Sequence, residues 1–241
     1  MLDAETLDRY AGRFQTSPDN IKREYCQHLF LSYLYQETGS DRLLFKGGTA
    51  LRIVFGSPRF SEDLDFSGYG LKSAGIETLV NGALVNLEKT GLSIDIEESK
   101  RTSGGYLGII WLLVGGTKIK IQLEVSLRPG LAVKGERSVI QNEFIPAYTL
   151  VHLPENLLVQ EKIAALLDRK KPRDFYDYYY LLCGNYAAAK EKFNLERVLN
   201  LLLTTKIDFR RELRQFLPAG QVMQLKSFKE KLINKIKKYI R

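Results

Sequence analysis

The chain has 241 residues, 36 lysines and arginines against 28 aspartates and glutamates, a net charge of +8 and two cysteines. Such a length buries one generous core or two small ones, and two lobes are expected. Two cysteines exclude a disulfide framework, no apolar run is long enough to span a bilayer, and Asp3, Glu5 and Asp8 deny the N-terminus the basic start of a secretory signal, so a reduced cytoplasmic protein is expected.

In chain order, a helix is predicted from about Pro18 to Glu37, with Ser17 as N-cap, Pro18 in the first helical position and Thr38-Gly39-Ser40 ending it. Cys26 lies in it, and both Cys26 and Cys183 read as reduced core thiols. Arg42-Leu-Leu-Phe45 reads as a short buried strand, Gly47-Gly48 as a tight turn, and Thr49 to Phe55 as a helix opened by Thr49. Amides at such a helix start favour phosphate. In Asp63-Leu-Asp-Phe66 the alternation of a strand puts both carboxylates on one face and Leu64 and Phe66 on the other. Two like charges so close are costly without a cation; Mg²⁺ or Mn²⁺ relieves the repulsion and accepts phosphate oxygens as further ligands. A lone Gly-Gly is more often just a turn, and a lone Asp-x-Asp is common on exposed sheet faces. The order strand, Gly-Gly, helix, loop, Asp-x-Asp strand is far more specific, and such a segment can hold a nucleoside triphosphate and its metal.

Ala74 to Thr90 has a looser helical pattern, stopped by Gly91. The period then becomes alternating over Leu92 to Arg101, Tyr106 to Val114 and Lys118 to Leu127, with hairpin signals at Gly104-Gly105 and Gly115-Gly116. In the last of these runs Ile119, Ile121, Leu123 and Val125 share one face, leaving Glu124 on the polar one; Asp95 occupies the polar face of the first run. Arg128 to Leu153 is expected to be irregular. From Pro154 onward almost everything reads as helix. The expected division is therefore 1–150, an α/β half with an N-terminal helix, and 151–241, a helical lobe.

In the helix Pro154 to Arg169, Leu158, Val159, Ile163, Leu166 and Leu167 form an apolar stripe with Lys162 in its middle. A buried ammonium must snorkel out or meet an anion. Asp174 and Asp177 share a helical face among Phe175, Tyr178, Tyr179 and Leu182, which read as core. Tyr176 or Tyr180 could stack on a base, and nothing in the sequence selects one. Arg169-Lys-Lys-Pro-Arg173 and the tail Lys226 to Arg241 are basic; the tail reads as an amphipathic helix with a solvated face, whereas the loop, next to Asp174, is as well placed for RNA or triphosphate contact.

Phe45-Lys-Gly-Gly-Thr-Ala-Leu-Arg52 with Arg59-Phe-Ser-Glu-Asp-Leu-Asp-Phe66, followed by Glu161-Lys-Ile-Ala-Ala-Leu166 and Arg173-Asp-Phe-Tyr-Asp177, resembles the AbiEii/AbiGii-type toxin nucleotidyltransferases, a branch of the DNA polymerase beta-like superfamily. Gly48-Thr49 stands where Gly-Ser is more usual, which keeps a hydroxyl. The resemblance implies a nucleotidyltransferase fold, a mixed sheet with flanking helices and then a helical lobe, of α+β class. It implies that Asp63 and Asp65 bind Mg²⁺, that a third carboxylate (Glu124, with Asp95 as competitor) activates the attacking hydroxyl, and that Lys162 binds phosphate. Asp174 belongs by resemblance to the active site, with Asp177 a second choice. Gly47, Gly48 and Thr49 would cradle the phosphates, and Arg52, Arg59 and Ser61 would complete the electrostatic frame. An NTP donor, an RNA acceptor at a tRNA 3′ end, contacts from Arg169, Lys170, Lys171 and Arg173, and a cognate antitoxin in a toxin-antitoxin or abortive-infection phage-defence pair follow from kinship. Two other classes stay open at the level of sequence: a nucleotidyltransferase acting on a small molecule or protein, which a neutral acceptor cleft would favour, and a silent nucleotide- or RNA-binding module, which retention of both aspartates disfavours.

Overall fold

The structure is a computed structural model describing residues 2–130 and 133–240. It opens with a helix not expected from the sequence, α1 (Ala4–Arg13), started by the Asp3 carboxylate, which accepts from the Thr6 amide at 2.8 Å, and buried through Leu7 and Ala11 one turn apart. The expected helix follows as α2 (Pro18–Leu34), capped by Ser17 and ending three residues before Glu37. It is buried nearly all round, with Ile21, Tyr25, Cys26, Phe30 and Leu34 inside. Burial pushes the Cys26 thiol up to about 12.

Next come β1 (Leu43–Lys46) and α3 (Gly47–Ile53), so Gly47-Gly48 is the first turn of the helix and not a separate turn before it. After β2 (Asp63–Tyr69) and α4 (Ser73–Glu88) lie the three expected strands, β3 (Ile94–Thr102), β4 (Gly105–Val114) and β5 (Thr117–Arg128). The passage expected to be irregular contains two more, β6 (Glu136–Ile140) and β7 (Tyr148–His152). They pair with each other and β7 lies parallel to β1, a partner about a hundred residues upstream that no local pattern announces.

The seven strands form one mixed sheet in the order β3-β4-β5-β2-β1-β7-β6. Helix α2 packs against β5 and β7, and α4 against β3 and β4. Leu64 and Phe66 of β2 and Ile119, Ile121, Leu123 and Val125 of β5 are buried, which leaves the alternate residues of both strands on the opposite face. The fold is α+β, a mixed sheet followed by helices.

The chain forms two compact units: Met1–Gly56 with Phe60–Pro154, and Ser57–Arg59 with Glu155–Arg241. The second contains α5 (Glu155–Arg169), α6 (Pro172–Cys183), α7 (Lys192–Thr204), α8 (Phe209–Leu213), α9 (Ala219–Val222) and α10 (Phe228–Ile240). Its core is Phe175, Tyr178, Leu181, Leu195, Val198, Leu202, Leu232 and Ile236. Tyr176 stacks on Phe228 and donates its hydroxyl to Gln221, so it packs in the core. Cys183, expected in the core, is exposed at the end of α6. The basic tail is the amphipathic α10, burying Phe228, Leu232 and Ile236, while Arg241 lies outside the described residues. Among the described residues no helix is long and apolar enough to cross a membrane.

Candidate active site

Strand pairing brings together carboxylates that the sequence holds about sixty residues apart. Strands β2 and β5 run parallel, with Asp63 opposite Gln122 and Asp65 opposite Glu124, and opposed residues share a face. On the other side of β2, Lys46 of antiparallel β1 is opposite Asp65. One row across the sheet therefore reads Lys46, Asp65, Glu124, with Asp63 and Gln122 in the adjacent row. The Glu124 Oε1 accepts from Gln122 Nε2 at 2.7 Å, and its side chain is exposed. Asp95 lies on β3, an edge strand separated from β2 by β4 and β5. Lys46 was not singled out from sequence, although an ammonium closing an apolar strand immediately before Gly47 was the available signal.

The approach of α3 to this row depends on Gly47. Its φ is +80°, and a Cβ at this position would lie 2.0 Å from Asp65 Oδ2 and 2.8 Å from Asp65 Cβ. The chain therefore presses bare backbone against the carboxylate. The Thr49 hydroxyl, fully buried, donates to the Asp63 carbonyl and pins α3 to β2. Gln27 of α2 donates to the Ser61 and Glu62 carbonyls at 3.0 and 2.9 Å, fixing the entry into β2 and with it half-buried Ser61. Gly47→Ala is expected to push the Asp65 carboxylate off its seat and to place a strained left-handed residue at a cost of about 1–2 kcal/mol of stability, which thermal melts measure.

Arg52 is held by α2: its guanidinium binds Glu24 bidentately at 2.7 and 2.9 Å and lies 3.6 Å over the Phe60 ring. Nearby His28 is buried against Tyr148, and burial together with the Arg52 charge pushes its imidazole down to about 3, so it stays neutral throughout the physiological range.

In the second unit, Asp177 is the hub. Arg59 binds it bidentately at 2.7 and 3.0 Å, and Lys162 donates to its Oδ2 at 2.7 Å. All three side chains are at most one-tenth exposed. Burial opposes the charge of Asp177, but the two cations outweigh it and hold the carboxyl down at about 2. Lys162, conspicuous in its apolar stripe, thus has its anion one helix away. The adjacent Asp174 is buried, its Oδ1 paired to Arg169 at 2.7 Å and its Oδ2 without a hydrogen-bond partner among the described residues. Lys170 and Lys171 are exposed, and Arg173 lies 3.5 Å from Glu212 of α8.

Among the described residues no three His, Cys, Asp or Glu side chains are grouped as a ready metal cage. Two carboxylates on one strand suit a hard cation that takes its other ligands from phosphate and water.

A family described as "Nucleotidyl transferase AbiEii toxin, Type IV TA system" matches residues 29–238. Among solved structures, MenT4, a nucleotidyltransferase toxin from Mycobacterium tuberculosis H37Rv, superposes with a TM-score of 0.71 at 18% identity, covering 98% of this chain and 90% of that one. JHP933 from Helicobacter pylori superposes with a TM-score of 0.65 at 19% identity, covering 93% of each chain. At these identities the likeness is one of fold. No curated protein sequence matches.

Proposed function

This chain belongs to the AbiEii nucleotidyltransferase toxin family of type IV toxin-antitoxin systems, and from that premise we propose that it moves a nucleoside monophosphate from an NTP to an RNA hydroxyl, at a tRNA 3′ end. The observation that carries this reading is the row Lys46, Asp65, Glu124 with Asp63 beside it, on the face of the sheet opposite the buried residues. Mg²⁺ bound by Asp63 and Asp65 would offset the triphosphate charge and favour in-line attack at the α-phosphorus. Backbone amides of Gly47, Gly48 and Thr49, with Ser61, receive the β and γ phosphates on the β1 side. Glu124, on the β5 side, takes the proton of the acceptor hydroxyl as its oxygen bonds to the α-phosphorus and pyrophosphate leaves. Arg59, Lys162 and Asp174 belong to the second unit, and this assignment does not depend on them.

Charge distribution favours RNA. Ser57–Arg59 and Glu155–Arg241 hold twenty lysines and arginines against ten acids, whereas the rest of the chain holds sixteen against eighteen. The positive balance is thus confined to the helical unit, where Arg169, Lys170 and Lys171 are exposed for phosphate contact. Such an enzyme would arrest growth unless a cognate antitoxin opposed it, in toxin-antitoxin control or abortive infection, and its substrates place it in the cytoplasm.

Purified protein incubated with total RNA, Mg²⁺ and each α-labelled NTP in turn is expected to put label into an RNA band. Label appearing only on protein or a small molecule would overturn the RNA assignment.

A further inference from the structure

The face that bears the carboxylates also bears an apolar strip that nucleotidyl transfer has not used. On β4, Leu107 is opposite Glu124, Ile109 opposite Gln122, Trp111 opposite Lys120 and Leu113 opposite Lys118. These four β4 residues therefore share the face of Glu124, while their alternates Tyr106, Ile110, Leu112 and Val114 fill the core. Leu113 is 44% exposed and Trp111 is half-buried.

Trp111 is the only tryptophan of the chain, and it is held in place from two sides. Its indole Nε1 donates to Glu97 of β3, the residue at which the β3–β4 register slips. Lys120 Nζ lies 5.8 Å from the ring centroid. Strand spacings put Trp111 about 12 Å from Asp63, two strands across and two residues along. The triphosphate side of the row is β1, with Lys46 and Gly47. The acceptor side is β5, with Glu124; the next strand in that direction is β4, where Leu107 is opposite Glu124 and Trp111 lies four residues along the strand.

We propose that Trp111, flanked by Lys120, is a stacking platform for a base of the acceptor RNA that precedes the reactive terminal nucleotide, with Lys118 and Lys120 meeting the adjoining phosphates. This rests on the RNA-directed reading above. The platform is sequence-tolerant, because every base offers a π-face, and it would align the end of the strand so that its hydroxyl reaches Glu124.

A lone tryptophan reports on itself. Titrating wild-type protein with a short single-stranded oligoribonucleotide is expected to quench its fluorescence, whereas Mg²⁺ with NTP alone leaves it nearly unchanged. Trp111→Ala is expected to weaken oligoribonucleotide binding, measured by anisotropy of labelled RNA, about tenfold. Trp111→Phe should retain most of the affinity, and NTP affinity should be unaltered in both. Quenching by NTP alone, or RNA binding by Trp111→Ala equal to wild type, overturns the platform while label transfer to RNA keeps the broader reading intact. If wild type neither binds RNA nor labels it, both are overturned. The wild-type titration and the Phe variant keep the test decisive should the Ala variant fold poorly.

Discussion

Asp65→Asn is expected to lower transfer from α-labelled NTP at least about a thousandfold, while the circular dichroism spectrum and melting temperature stay at or above wild type. Asp65 stands at the centre of the row, between Lys46 and Glu124, with the Gly47 backbone against its carboxylate. The amide keeps the shape that fits this seat, so packing is preserved. What disappears is one of two negative charges needed to hold a divalent cation, together with the Asp63–Asp65 repulsion that folding tolerates. Loss of activity without loss of stability separates a site residue from a structural one. Calorimetry of Mg²⁺-dependent NTP binding gives the sharper check: affinity equal to wild type in the variant would refute the metal assignment.

Asp177→Ala should produce the opposite pattern, a large loss of stability. Removing this carboxylate leaves Arg59, 4% exposed, and Lys162, whose side chain is 10% exposed, without the anion they share. Breaking a buried pair in this way costs about 3–5 kcal/mol. The melting temperature should fall on the order of 10 °C. The same carboxylate carries a pH signature. Its folded pKa is about 2 against an ordinary 3.8, so its contribution is fully present above about pH 4 and is lost as pH falls from there toward 2. Urea denaturation across that window, compared between wild type and Asp177→Asn, should show the wild-type advantage shrinking with acid. A constant difference would mean that Asp177 is not the charged partner of Arg59 and Lys162.

The local geometry of the first block was legible in the sequence because period-two alternation and glycine pairs are local signals. Leu64 and Phe66 had to face inward, and Asp63 and Asp65 therefore outward. The hairpins at Gly104-Gly105 and Gly115-Gly116 fixed β3 to β5 for the same reason. Strands β6 and β7 were missed because Glu136-Arg-Ser-Val-Ile140 has little pattern of its own and joins the sheet through β1, far upstream. The stripe around Lys162 required its ammonium either to snorkel out or to meet an anion, and periodicity could not choose between the two. Three-dimensional packing chose the anion, pairing Asp177 with both Arg59 and Lys162 and Asp174 with Arg169. Trp111 was invisible as a surface feature because an almost wholly apolar strand reads as buried on both faces.

The late arrival of β7 beside β1 bears on synthesis of the chain. Roughly a hundred residues separate the two strands, which at ribosomal rates is on the order of 5–20 s. Throughout that interval Leu43-Leu44-Phe45 has no neighbour on its β7 side, an apolar strand edge open to any passing strand. A nascent chain stalled before Tyr148 would carry the complete carboxylate row on an unfinished sheet, and its fate would be decided between chaperone capture and aggregation.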